Sequence, residues 1–142
     1  MDNISILNYF ELLNKFNFVT DKLGYAILRT KKNLHKEVEI INEARLKLFQ
    51  KYGEYNEEDK TYTIPENSEN YGLFARENLG IMTEIVDVDV HKISQDDFDK
   101  ADIYNEKCSV FDYERLEEFM VMKNQQEPTD STGSIEGNSA ES

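Results

Sequence analysis

The sequence predicts an α+β fold, mainly α, built on a long helical hairpin with a small β element and short C-terminal helices. Three observations lead there. A proline-free stretch from Asp21 to Tyr52 repeats Ile27, Leu34, Ile41 and Leu48 every seven residues, the spacing of one helix face. A shorter apolar segment, Ile4 to Phe18, precedes it, close enough in the chain to fold back on it. Two short β signals and further capping signals follow it, which is too little strand for a large sheet.

The first helix is expected over residues 3 to 15, with Ile4, Leu7, Asn14 and Phe18 on one track and Ile6, Tyr9, Leu13 and Phe16 on its flank. Thr20 is the expected N-cap of the second helix, since its hydroxyl can accept from an unpaired amide of the first turn. Asp21 adds negative charge where the helix dipole favours it. Leu23, Val38 and Ala44 flank the seven-residue track. Gly24 is a weak point, costing roughly 1 kcal/mol against Ala in a helix interior, and Gly53 suits a left-handed helix end. At 1.5 Å per residue this helix extends about 48 Å, longer than a compact domain of this mass is wide. It is expected to bend, break or project toward a partner.

Beyond Gly53 the polar run Glu54 to Lys60 reads as a turn. Thr61 to Ile64 reads as a short edge strand stopped by Pro65. A third helix, capped by Asn67 or Ser68, is expected near residues 68 to 80 with Tyr71, Phe74, Asn78 and Met82 sharing a track. From Glu84 to His91 three valines alternate with Asp87, Asp89 and His91, which predicts a half-buried strand. Ser94 to Asp97 resembles a capping box, and Asp112 opens a last helix that turns Leu116, Phe119 and Met120 inward. Residues 1–123 are expected to form a single folded domain. Residues 124–142 carry one large aliphatic side chain, Ile135, and are expected to be a disordered acidic and polar tail.

Sixteen basic and twenty-nine acidic side chains give the 142-residue chain a formal charge of -13. That balance disfavours direct binding to nucleic acid or to an anionic membrane. The charge is uneven: residues 1–52 hold nine Lys or Arg against six Asp or Glu, and the rest hold seven against twenty-three. Such asymmetry suits head-to-tail or ordered association. No membrane span, signal peptide or cysteine framework is legible, Cys108 being the one cysteine.

Asp87, Asp89 and His91 alternate so that a strand would turn all three to one side, where two carboxylates and an imidazole could meet a divalent metal. No fourth ligand stands at a readable spacing, and the exposed face of a strand accounts for the pattern. Glu54, Glu57, Glu58 and Asp59 lack the glycine and closing glutamate of a calcium loop. His35 lies among Arg29, Lys31, Lys32 and Lys36, a basic patch that fits an acidic protein surface better than nucleic acid. Cys108 has no positioned base, and no nucleophile elbow, phosphate-binding glycine loop or metalloprotease motif occurs. The expectation is a chain with no catalytic residues, no cofactor and no small-molecule substrate. Its partner surface would combine Ile27, Leu34, Ile41 and Leu48 with Arg29, Lys32 and Lys36, although packing inside the chain competes for the apolar four.

Lys51-Tyr-Gly-Glu54 at the end of the long helix and Ile64-Pro-Glu-Asn67 after the short strand are the most specific local patterns. Together with Lys22 to Thr30, the valine-rich segment and Leu116 to Phe119, this order over residues 5 to 120 resembles a group of small acidic proteins of tailed bacteriophages and prophages. The resemblance implies a virus-encoded structural or virion-assembly protein that contacts other phage proteins or itself, in the host cytoplasm and in the virion. It implies no chemistry. An acidic nucleic-acid mimic that inhibits a host defence protein is the alternative, and a metal-dependent enzyme using Asp87, Asp89 and His91 the distant one.

Overall fold

Apolar periodicity without a proline carries α2 unbroken from Asp21 to Tyr52. The structure, a computed structural model, describes residues 1–123, and the expected tail lies outside the described residues. Before α2 comes α1 (Asn3–Asn14); after it come β1 (Glu54–Asn56), β2 (Thr61–Thr63), α3 (Glu69–Met82), α4 (Gln95–Asp99) and α5 (Val110–Met120). The expected mainly helical α+β architecture, with its long hairpin, two-stranded sheet and short C-terminal helices, is present. The described residues group into two compact units, one of Met1–Asn17 with Ile27–Val90 and the other of Phe18–Ala26 with residues 91–123.

In the first unit α1 begins at the N-cap Asp2, whose Oδ1 accepts from the Ser5 amide at 2.8 Å. Hydrogen bonding from the Ser5 side chain and backbone holds the Asp2 carboxyl below its ordinary range. Ile6, Leu12 and Leu13 are buried and Ile4 is exposed, so α1 packs through the flank of the expected track. Phe10 lies against His35 of α2 with ring centroids 5.6 Å apart, which fixes the hairpin side by side. α3 runs antiparallel to the C-terminal half of α2: Phe49 meets Phe74 at 4.9 Å, and Arg45 Nε donates to Asn78 Oδ1 at 3.1 Å. At the far end Asn70 Nδ2 donates to the Tyr52 carbonyl at 3.4 Å, and the Tyr52 hydroxyl donates to Glu77. Asn3 Nδ2 donates to the Ile81 carbonyl at 2.7 Å, tying the start of α1 to the end of α3.

The valine segment keeps its alternation but not its ladder. Val86, Val88 and Val90 are half-buried and Asp87 and Asp89 exposed, as expected, yet only Ile85 makes a bridge, to Asp2. No strand runs along it. Its polar backbone is satisfied by Met1, which exchanges bonds of 2.9 and 3.1 Å with Val86, and by Asn33 Nδ2, which donates to the Asp89 carbonyl at 3.0 Å. The sheet is instead the antiparallel hairpin β1–β2, with Tyr55 opposite Tyr62. Its first strand falls within the run expected to be only a turn. At the helix end Gly53 does not take the expected left-handed conformation. Its need is space: a Cβ there would sit 2.6 Å from the Phe49 carbonyl oxygen and 3.0 Å from that of Thr63.

In the second unit α2 begins directly after Thr20, the expected cap position, and the side-chain cap comes from Asp21. Asp21 adopts φ 63°, a left-handed conformation that Asp tolerates, and its Oδ1 accepts from the Leu23 amide at 3.1 Å. Thr20 contributes its main-chain carbonyl, which accepts from Gly24 at 3.0 Å. α5 starts at Val110 with the capping box of Ser109 and Asp112, one turn earlier in role than Asp112 as the opening residue. Leu116, Phe119 and Met120 are buried, as are Leu23, Ala26, Ile93 and Phe98. Ile93 pairs with Val121 in a parallel bridge, closed by amide bonds of 2.9 Å to Met120 and 2.8 Å from Met122.

Candidate interaction surface

Ile27, Leu34, Ile41 and Leu48, the apolar track expected to meet a partner, are all buried, none more than 7 % exposed. The reason is that α1 is not the only cover on α2. α3 lies along the C-terminal half, and the valine segment reaches Asn33. The surface of α2 is therefore made by its other sides.

That side is a ridge of residues four apart: Leu28, Lys32, Lys36 and Ile40, every one exposed. Residues at this spacing stack on one helix face, and a row of four spans about 18 Å. Leu28 and Ile40 at its ends are 52 % and 60 % exposed, in the range of Leu79 at 60 % and Ile85 at 68 %. The two lysines between them form no ion pair among the described residues, whereas Lys47 lies 3.9 Å from Glu43 and Lys51 3.6 Å from Glu77. Arg29 is exposed one residue from the ridge.

Beside the ridge is an open cavity of about 330 Å³ lined by Phe10, Asn14, Leu28, Lys31, Lys32 and His35. Lys31 Nζ donates to Asn17 Oδ1, which directs that ammonium toward the end of α1. His35 Nε2 is 3.9 Å from Glu39 Oε2 while its ring rests on Phe10. The arrangement offers a shallow apolar seat framed by cations. Its lining combines the Phe10 ring and the Leu28 side chain with the ammonium groups of Lys31 and Lys32. Arg29, Lys32 and Lys36, the expected basic flank, are exposed. Leu28 and Ile40 were missed because the seven-residue repeat drew the apolar reading to the buried face; their four-residue offset from the lysines was the available signal.

Asp87 and Asp89 are exposed residues of the first unit, and His91 belongs to the second, where its ring stands edge-on to Tyr25 at 5.6 Å. Among the described residues no three His, Cys, Asp or Glu side chains are grouped to hold a metal ion. The second unit has an open cavity of about 680 Å³ bordered by Lys22, Tyr25, His91, Lys92, Asp97 and Met122. There Lys22 lies 3.7 Å from Asp97, so one of its cations already has a counter-charge. No helix among the described residues is long and apolar enough to cross a membrane.

No family model, curated protein sequence or solved structure matches the chain.

Proposed function

We propose that this chain is a non-enzymatic protein-binding component, of the virion-assembly kind implied by its resemblance to small tailed-phage proteins, and that it docks partners on the Leu28–Lys32–Lys36–Ile40 ridge. The observation that carries the reading is a pair of lysines, without a carboxylate partner among the described residues, between two exposed aliphatic side chains. Apolar contact at the ridge ends supplies affinity, and the cations select an acidic partner face and exclude a basic one. Ridge-into-groove packing makes a helix or a hairpin of similar width a suitable complement.

Nucleic-acid mimicry draws support from the exposed Glu54, Glu57, Glu58 and Asp59. Duplex DNA carries a charge about every 1.7 Å, so four carboxylates match it over only about 7 Å. Docking at the ridge asks less of the residues present.

A photo-crosslinking residue at position 32, introduced into the full chain in its native infected cell, tests the reading. The expected result is a discrete acidic protein adduct that disappears when Lys36→Glu and Leu28→Ala are added while the thermal midpoint stays unchanged. Adducts of equal yield with and without those substitutions would overturn it.

A further inference from the structure

The ridge has a complement within the same sequence. We infer that its occupant is a second copy of this chain, which contributes the β1–β2 hairpin, so that copies join head to tail. The inference rests on the protein-binding reading of the ridge and names its partner.

The hairpin is an uncovered sheet face. All of β1 is exposed, and Tyr55 and Tyr62 pack on each other across the strands with ring centroids 5.0 Å apart. Around them Glu54, Glu57, Glu58 and Asp59 are exposed and form no ion pair among the described residues. The tip is held in shape. Asn56 Oδ1 accepts from the Glu58 amide at 2.9 Å and the Asp59 amide at 3.4 Å, and Lys60 closes the turn at φ 57°. An aromatic pair framed by carboxylates thus meets the chemical demand of a ridge with aliphatic ends and lysines at its centre.

One copy cannot satisfy both surfaces itself. Lys32 and Lys36 precede the end of α2 at Tyr52 by about 24 to 30 Å of helix, and the hairpin's three-residue strands reach only about 10 Å. The contact joins two different patches, so it is heterologous and builds either a ring or an open row. The net charge of -13 opposes association at long range. At physiological ionic strength the Debye length is about 8 Å, which screens the bulk of that repulsion and leaves pairs in direct contact nearly intact. Association is therefore expected near 0.15 M salt and not at very low salt.

Sedimentation velocity of the full chain over a concentration series tests this. The expected result is a weight-average mass that rises with concentration above the 16.6 kDa of one copy. Lys32→Glu with Lys36→Glu, and separately Glu57→Gln with Glu58→Gln, should each weaken association at least about tenfold, because each removes one side of the contact. An equimolar mixture of the two variants retains one good ridge and one good hairpin, so it should recover a species of two copies and stop there. A wild-type chain that stays at the mass of one copy up to about 1 mM, or variants that associate as the wild type does, would overturn the inference. A single-copy wild type whose position-32 adduct with another protein still depends on Lys36 and Leu28 would sink self-association alone and leave the protein-binding reading standing.

Discussion

Gly24 shows how far a single residue's meaning depends on what folds over it. In the sequence it reads as a defect in a helix. In the structure a Cβ at Gly24 would stand 2.2 Å from the Val19 carbonyl oxygen and 2.7 Å from its carbon. Both are main-chain atoms of the short link before α2, so they cannot rotate away. Gly24→Ala is therefore expected to destabilise by about 1–3 kcal/mol, as overpacking against backbone does, instead of gaining helix propensity. Gly72 gives the opposite expectation, since nothing lies within 4 Å of a Cβ there and the residue sits inside α3. Gly72→Ala should stabilise by about 0.5–1 kcal/mol. Urea unfolding midpoints of the two variants check both signs, and a stabilised Gly24→Ala would contradict the close approach. No periodicity argument could separate these glycines, because the difference lies in a loop that crosses one and not the other.

At the scale of elements, α1, α2, α3 and α5 were legible because apolar spacing and caps are local properties of the chain. The valine segment was legible in its burial but not in its pairing. Alternation fixes which side chains turn inward, whereas a ladder needs a neighbouring strand, and here Met1 and Asn33 supply the bonds instead. Glu54-Tyr-Asn carried no alternation, so β1 was visible only once Thr61 to Thr63 lay opposite it. The candidate site was half legible: the lysines stood out by charge, while the aliphatic ridge ends needed α2 to be covered on its other side. Adjacent residues on α2 turn this into a measurement. Ile41 is 2 % exposed and Ile40 60 %, one helix position apart. Ile41→Ala is expected to cost about 2–5 kcal/mol by transfer and cavity terms, and Ile40→Ala less than about 0.5 kcal/mol. Ile40→Ala should instead weaken self-association. A reversed pattern in chemical denaturation would mean that the buried and exposed faces of α2 are misassigned.

For the whole molecule the deciding quantity is charge. Ion pairs and net repulsion make opposite demands on salt, and their sizes can be compared. The pairs Lys47–Glu43 and Lys100–Asp96 have side chains 71 to 76 % exposed. Such exposed pairs contribute little and fade with screening. Against them stands a formal charge of -13, whose mutual repulsion favours the expanded chain. Raising ionic strength from about 0.01 M to 0.15 M shortens the Debye length from about 30 Å to about 8 Å, which removes most of the long-range repulsion and only part of the short-range attraction. Stability should therefore rise with added salt, and the thermal midpoint should climb across that interval at a protein concentration low enough to hold the chain as single copies. Neutralising an exposed acid outside the helices, as in Glu66→Gln, should shrink the climb without lowering the midpoint in high salt. A midpoint that falls as salt is added would mean that the surface pairs outweigh the net charge, and the screening argument for association near 0.15 M salt would fall with it.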